Sequence, residues 1–477
     1  MTSWLLGLAI FLIHLGGAIS AVLALMSSRT SQGAIAWIIS LVAMPYLALP
    51  AYWVFGRPRF YGYVSARGQR DTLLRRVLLR YRDRFDSYLV GATDADVKAV
   101  EKLAMMPLTR ANSTELLVDG DQTFDSLFAG IDAARSYILI QFFIVRNDEL
   151  GRRLQEHLVR AARRQVRVYF LYDEIGSRQL GDGYLGELRE AGIHVSAFHS
   201  SRGWRHRFQL NFRNHRKILV VDGREGWLGG FNVGVEYLGQ DPRHGPWRDT
   251  HLKLVGPSVL GLQEAFWEDW HWATGTMLSL SWAPQVDQPT VDEGNGRHVV
   301  IVPSGPADPQ ETASLLVQHL IHSAHQRLWV TSPYFVPDEG VQDALRLAAM
   351  RGVDVRIMMP ERPDHLLVFL SAFAFLPDMI RAGVKVYRYQ PGFLHQKVML
   401  IDDSAASVGT VNLDNRSFRL NFEITALVPH QAFALEVETM LEQDFANCRE
   451  VSLDELRSRP LWRKLVSRAA YLLAPVQ

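Results

Sequence analysis

The chain has 477 residues, enough for two large lobes and additional segments, and its 51 lysines and arginines nearly balance 50 aspartates and glutamates, for a formal net charge of +1. So even a balance singles out no partner for the chain as a whole, and distribution along the sequence has to be considered instead. The single cysteine, Cys448, excludes an intramolecular disulfide, argues against a thiolate metal site and suits a reducing, cytoplasmic environment.

Two apolar stretches open the chain. Trp4–Met26 and Ala34–Phe55 are each roughly twenty residues long, enough for a hydrocarbon core of about 30 Å, and a short polar connection joins them. They predict a transmembrane hairpin. A cleaved signal peptide fits less well, because the N-terminus lacks a basic region, the first stretch is too long and a second follows at once. Beyond Phe55 come Arg57, Arg59, Arg67, Arg70, Arg75, Arg76, Arg80, Arg82 and Arg84, against Arg29 alone in the connection. The positive-inside rule then places both termini and everything downstream in the cytoplasm. That arginine-rich stretch suits anionic headgroups as well as an ordinary solvated face. His14 lies in the first stretch, where a neutral imidazole bonded to a neighbouring helix is the plainer expectation and a functional role the sharper one.

Downstream the chain repeats itself. Ile131-Asp-Ala-Ala-Arg-Ser-Tyr-Ile-Leu-Ile parallels Ile321-His-Ser-Ala-His-Gln-Arg-Leu-Trp-Val, Ala161-Ala-Arg-Arg-Gln-Val-Arg-Val parallels Ala348-Ala-Met-Arg-Gly-Val-Asp-Val, and Glu190-Ala-Gly-Ile-His-Val parallels Arg381-Ala-Gly-Val-Lys-Val. Strands such as Tyr137–Val145 and Val166–Tyr172 alternate with helix-period stretches such as Glu149–Arg164. Each half is therefore predicted to be an α/β lobe with a mostly parallel sheet flanked by helices. The polar, Pro- and Gly-containing run Trp282–Arg297 is the linker between the lobes. In the second half Leu366–Leu376, followed by Pro377, is expected to be a buried core helix, with the lining of an acyl-chain passage as the alternative. Near the end Leu461, Leu465, Val466, Ala469, Leu472 and Leu473 recur at helical spacing, with Arg463, Lys464 and Arg468 between them. Such a helix suits packing on the protein and lying at a membrane interface equally well.

The repeat carries its chemistry at identical intervals. His215-Arg-Lys217, Asp222, Gly229 and Asn232 recur as His395-Gln-Lys397, Asp402, Gly409 and Asn412. A histidine near neutral pKa can attack phosphorus or move a proton, while a lysine ammonium and an asparagine amide can hold phosphoryl oxygens as charge builds. Lys217–Asp222 and Lys397–Asp402 frame short apolar runs typical of buried strands, so His and Lys, two apart, share a face. Asp222 and Asp402 are catalytic candidates, although a turn or ion-pair role at a strand end competes for them. Gly-x-x-Asn then opens the next element, where backbone N–H groups could meet a phosphate. Arg202, Arg205, Arg207, Arg213 and Arg216 crowd around the first motif and would concentrate an anionic substrate.

This pattern, His-x-Lys-x4-Asp-x6-Gly-x2-Asn twice in one chain, resembles the signature of the phospholipase D superfamily. The resemblance implies two lobes facing each other across one cleft, one histidine as nucleophile through a phosphohistidine, the other as general acid and then base, and no metal or other cofactor. It also implies an acidic residue orienting each histidine, for which Asp249 and Glu423 are the candidates and Glu236 a rival to Asp249. His215 is taken as the nucleophile because the family usually uses its N-terminal motif. With a two-span anchor, a basic juxtamembrane stretch and both lobes in one chain, the sequence is similar to the bacterial cardiolipin synthase branch. That implies membrane phospholipids, phosphatidylglycerol and cardiolipin, as partners at the bacterial inner membrane, with no nucleic acid, and is compatible with a homo-oligomer. A membrane-bound phospholipase D, or a synthase using phosphatidylethanolamine as donor, would share every catalytic residue. The expected division is 1–60 hairpin, 61–110 basic juxtamembrane segment, 111–281 first lobe, 282–297 linker, 298–450 second lobe and 451–477 C-terminal amphipathic segment.

Overall fold

The computed structural model of the chain describes residues 2–28, 30–56, 60, 63–64, 86–91, 95–198, 211–286 and 296–477. The arginines at 57, 59, 67, 70, 75, 76, 80, 82 and 84, Arg202, Arg205 and Arg207 lie outside the described residues, as do 287–295 of the expected linker.

Thr2–Ser27 is a single helix, of which Trp4–Ser27 is long and apolar enough to cross a membrane. The second apolar stretch does not continue as one span. It breaks at Met44 (φ −137°, ψ 58°), because the residue before a proline is pushed out of the helical region, and Pro45 follows. The products are Ser31–Ala43 and Pro45–Phe55, roughly 20 and 16 Å long, each shorter than a hydrocarbon core. The expected two-helix hairpin is thus seen in part: one span-length helix packs against two short ones, around Ala21, Ala24, Leu41, Ala48 and Tyr52. His14 Nε2 lies 3.1 Å from the Tyr46 hydroxyl on the third helix, the expected interhelical contact. Just past the helices Phe60 and Tyr63 are buried in the catalytic body. The Phe60 ring stacks on Phe212 at 5.1 Å, and the Tyr63 hydroxyl donates to Asp269 at 2.7 Å.

The two halves are built on one mixed sheet. In the first half its main strands are β1 (Thr109–Val118), β2 (Tyr137–Phe142), β3 (Arg167–Asp173), β4 (His194–Phe198), β5 (Ile218–Val221), β6 (Glu225–Gly229) and β7 (Thr250–Val255). In the second they are β8 (Arg297–Ser304), β9 (Arg327–Thr331), β10 (Asp354–Pro360), β11 (Lys385–Tyr389), β12 (Val398–Ile401), β13 (Ala405–Gly409), β14 (Asn421–Val428) and β15 (Cys448–Glu450). Reading outward from the centre, the order is β1-β7-β6-β5-β2-β3-β4 on one side and β8-β14-β13-β12-β9-β10-β11-β15 on the other, with β1 and β8 paired antiparallel. The expectation of a mostly parallel sheet holds only for the outer three repeat strands of each half, β2-β3-β4 and β9-β10-β11, where helices make the crossovers. The inner strands are antiparallel because β5 returns as β6, and β12 as β13, through tight turns at Asp222 and Asp402.

Three layers result. Val259–Thr274 and Gln431–Ala446 cover one face, packing Leu262, Phe266, Val437 and Leu441 against Leu139, Ile218, Val220, Val398 and Leu400. Asp119–Ala133, Glu149–Arg163 and Asp182–Glu190 cover the other face of the first half, and Thr312–Ser323 with Glu339–Met350 that of the second. Strands covered on both faces are apolar at successive positions, which is why β5 (Ile-Leu-Val-Val) and β12 (Val-Met-Leu-Ile) show no alternation.

Candidate active site

Each histidine is placed by a ladder that crosses between the halves. Arg213–Asn214 pairs in parallel with Asn421–Phe422 at the start of β14, and the His215 amide donates to the Phe422 carbonyl at 2.9 Å. In the other half Phe393–Leu394 pairs in parallel with Trp247–Arg248, and the His395 amide donates to the Arg248 carbonyl at 2.8 Å. Each histidine therefore lies against the opposite half's segment, one residue before its carboxylate. The acids are exchanged as a result. His215 Nδ1 lies 2.8 Å from Glu423 Oε2, and His395 Nδ1 lies 2.6 Å from Asp249 Oδ2. An Nδ1–H donated to a carboxylate fixes the tautomer and leaves the lone pair on Nε2.

The lysines lie on the same side as their histidines, two residues on. Lys217 Nζ donates to the His215 carbonyl at 2.7 Å and sits 5.4 Å from the centre of the Phe143 ring. Lys397 Nζ donates to the His395 carbonyl and approaches His395 Nδ1 to 2.9 Å. Beside ionised Asp249 that nitrogen is occupied by its own proton, so the ammonium's hydrogen bond is the one to the carbonyl.

His215 is 8% exposed and His395 7%, and both lysines are buried. Burial disfavours the charged forms and holds each imidazole down to about 4, the lysines reinforcing it and the carboxylates opposing it. Burial likewise lowers both ammonium groups, Lys397 to about 8. It pushes the carboxylates up, but is outweighed for Asp249 by Lys397 and His395, which bring it to about 2, and for Glu423 by His215 and Lys217. The resting site thus pairs two neutral imidazoles with two carboxylates and two lysines in a nearly dry space, a balance that one anionic phosphodiester would tip.

Gly230, next to the motif Gly229, and the motif Gly409 let the acid-bearing strands approach. A Cβ on Gly230 would fall 1.9 Å from Asp249 Oδ1, and one on Gly409 2.6 Å from the Ile424 carbonyl, next to Glu423. Asn232 accepts from the Ile144 amide at 3.0 Å and donates to the Tyr237 hydroxyl at 3.1 Å. The Asn412 backbone amide donates to the Ser417 hydroxyl at 3.1 Å, and its side-chain Oδ1 is buried without a hydrogen-bond partner among the described residues.

Four candidates belong elsewhere. Asp222 and Asp402 adopt left-handed backbone (φ 54° and 48°) and spend their carboxylates on backbone amides, of Arg135, Ser136 and Tyr137 in one half and His325, Gln326 and Arg327 in the other. They sit five residues along a strand from the lysines, roughly 16 Å away. They tie the β5–β6 and β12–β13 turns to the starts of β2 and β9, and bond neither His215 nor His395. Arg216 is buried, donating to the Glu423 carbonyl at 3.0 Å and to Asp269 at 3.0 Å, so it braces the site and does not face substrate. Glu236, the rival orienting acid, is paired with Arg146 at 3.0 Å.

Residue identities alone did not reveal Ser417 and Asn421, which donate to Glu423 Oε1 at 2.8 and 3.2 Å, or Tyr237. The interval did carry a signal: Tyr237 and Ser417 each lie five residues past the motif asparagine. Arg248, bonded to both Asp444 oxygens at 2.7 Å, likewise braces the segment bearing Asp249.

A family model described as cardiolipin synthase, PLD-like domain, matches residues 127–241 and 317–445, one segment in each half. Cardiolipin synthase A of Pseudomonas entomophila (strain L48) is 48% identical over 475 residues, 98% of this chain and 98% of its own length. That of Pseudomonas aeruginosa (strain UCBPP-PA14) is 49% identical over 476 residues, 99% and 96% of the two chains. Among solved structures, phosphatidylserine synthase of Haemophilus influenzae Rd KW20 shares the fold, with a TM-score of 0.61 at 16% identity over 80% of this chain and 100% of that one. Identity near one half over nearly the whole chain, with a family model whose matched segments cover both motif sets, places this chain with its relatives: it belongs to the cardiolipin synthase family, phosphatidyltransferases of the phospholipase D superfamily.

Proposed function

We propose that the chain transfers the phosphatidyl group of one phosphatidylglycerol to a terminal glycerol hydroxyl of another, giving cardiolipin and glycerol. The observation that carries this reading is the crossed pair of histidine–carboxylate contacts, which gives a family member two oriented imidazoles, one from each half. In the proposed sequence His215 Nε2 attacks phosphorus and the P–O bond to glycerol breaks. His395, having gained a proton as the substrate anion enters, gives it to the departing glycerol oxygen. The second phosphatidylglycerol then gives its hydroxyl proton to His395, its oxygen attacks phosphorus and the P–N bond to His215 breaks. Lys217, Lys397, Asn232 and Asn412 hold the phosphoryl oxygens as negative charge moves onto them. One phosphodiester replaces another, so no nucleotide is consumed. The near burial of both imidazoles favours a lipid alcohol over water in the second step.

The proposal extends to the setting: attachment to the bacterial inner membrane by the N-terminal helices, catalytic lobes in the cytoplasm, and the division of the chain given by its sequence. Purified protein incubated in mixed micelles with phosphatidylglycerol alone tests the reaction. Cardiolipin and glycerol are expected in equal amounts. Phosphatidic acid with glycerol would instead make the chain a hydrolase, and dependence on added phosphatidylethanolamine would replace the donor.

A further inference from the structure

The last apolar helix of the chain is turned the wrong way for packing on a soluble body. Over Leu461–Tyr471 the buried residues are Ser467 and Ala470, whereas Leu461 is 72% exposed, Leu465 61% and, just beyond, Leu472 76%; Trp462, Val466 and Leu473 are exposed as well. At about 100° per residue these six side chains and Ala469 sweep a continuous arc of roughly 140° opposite the Ser467–Ala470 face, with Lys464 and Arg468 on one flank. Packing on the protein, one of the two expectations for this helix, would have buried the leucines.

The helix is held in this orientation. It packs along Leu366–Ala372, which itself leaves Leu366 and Leu367 exposed. The Arg459 guanidinium lies 3.6 Å from the centre of the Phe373 ring at one end, and at the other the carbonyl of Gln477 accepts from the Arg416 amide at 2.7 Å. The supporting helix also packs on Phe335–Val336, which pairs in parallel with Leu413–Asp414 immediately after Asn412. The exposed apolar face therefore stands on the second half, on a helix that packs against the strand pair next to the motif Asn412.

We infer that this C-terminal helix is a second membrane contact, laying its leucine and tryptophan face into the interfacial layer of an anionic phospholipid bilayer and holding the cleft of the second half against the lipid surface. The apolar arc is unfavourable in water and is satisfied at the acyl boundary, and the basic flank matches anionic headgroups. The choice of lipid rests on the proposed use of phosphatidylglycerol. The test reads helix position separately from turnover, so failure of one reading is distinguishable from failure of the other.

The full-length protein bearing Leu465→Cys on a Cys448→Ser background, labelled with a polarity-sensitive fluorophore, is reconstituted in bilayers of phosphatidylglycerol or of phosphatidylcholine. A blue shift and quenching by acyl-brominated lipid are expected in phosphatidylglycerol, and a weaker response in phosphatidylcholine. A label that remains in water in phosphatidylglycerol bilayers overturns the inference. So does a shift that persists in detergent together with cross-linking at this position, which makes a second copy the occupant. In a companion experiment, Leu461→Glu with Leu465→Glu is expected to lower turnover of phosphatidylglycerol vesicles roughly tenfold and leave turnover of the same lipid in dilute detergent micelles unchanged. Equal loss in both also overturns it.

Discussion

At the residue scale the account turns on which carboxylates face a histidine and which face the backbone. His215→Ala and His395→Ala are each expected to lower kcat by at least about 10³-fold, because the proposed sequence gives each imidazole its own step, nucleophile or proton carrier. Glu423→Gln keeps the shape but not the charge that orients His215, and is expected to lower kcat by about 10²–10⁴-fold with a smaller change in KM. Asp222→Asn removes a carboxylate that caps three amides. It is expected to lower stability by about 1–3 kcal/mol while kcat per folded molecule stays within about twofold, as thermal unfolding beside single-turnover kinetics would show. The motif histidines, lysines and asparagines were legible because the repeat presents them twice. The role of Asp222 and Asp402 was not, since a carboxylate at a strand end has the same spacing whether it points into a cleft or onto a turn. Nor does the distance in sequence from His215 to Asp249 reveal that His215 uses Glu423.

The two buried imidazoles also make stability depend on pH. Both are held near 4, below the 6.5 of an ordinary histidine, so the unfolded chain binds more protons between those values. Their contribution is complete above about 6.5 and is lost as the pH falls through that window. The melting temperature of the detergent-solubilised protein is expected to fall between pH 7 and 5, and a flat profile there would mean that the imidazoles titrate in the fold as they do in the unfolded chain.

At the element scale the helical crossovers of β2-β3-β4 and β9-β10-β11 were visible as alternating periodicity, whereas the antiparallel inner strands were not. A buried strand has the same apolar run whichever way its neighbour points, and only the Asp222–Gly223 turn hinted at the reversal. The second apolar stretch was long enough for one span by hydropathy, but hydropathy is blind to the backbone restriction that Pro45 imposes on Met44. Gly230 shows how closely elements must meet for the site to form. Gly230→Ala would place a methyl against Asp249 Oδ1, displacing the acid that holds His395. It is expected to lower kcat at least tenfold in a protein that still unfolds cooperatively; unchanged kcat would show that Asp249 is dispensable for orienting His395.

At the scale of the whole molecule, the duplication announced two similar halves but not that their sheets join edge to edge at β1 and β8. That pairing sits nearly 190 residues apart in sequence and leaves no local mark. The join has a functional consequence, because it fixes the geometry in which each half supplies the acid for the other's histidine. One chain therefore holds a complete site. Mixing His215→Ala protein with His395→Ala protein is expected to restore no activity, and recovery of activity would mean that two chains share a site.

The most direct measurement is rapid quenching of the wild-type enzyme during turnover of phosphatidylglycerol labelled in its phosphate, followed by peptide mapping. An acid-labile, alkali-stable phosphoryl adduct on the peptide containing His215, formed and lost at the rate of turnover, is the expected result. Steady-state turnover with no covalent adduct, or an adduct on His395 in place of His215, would contradict it.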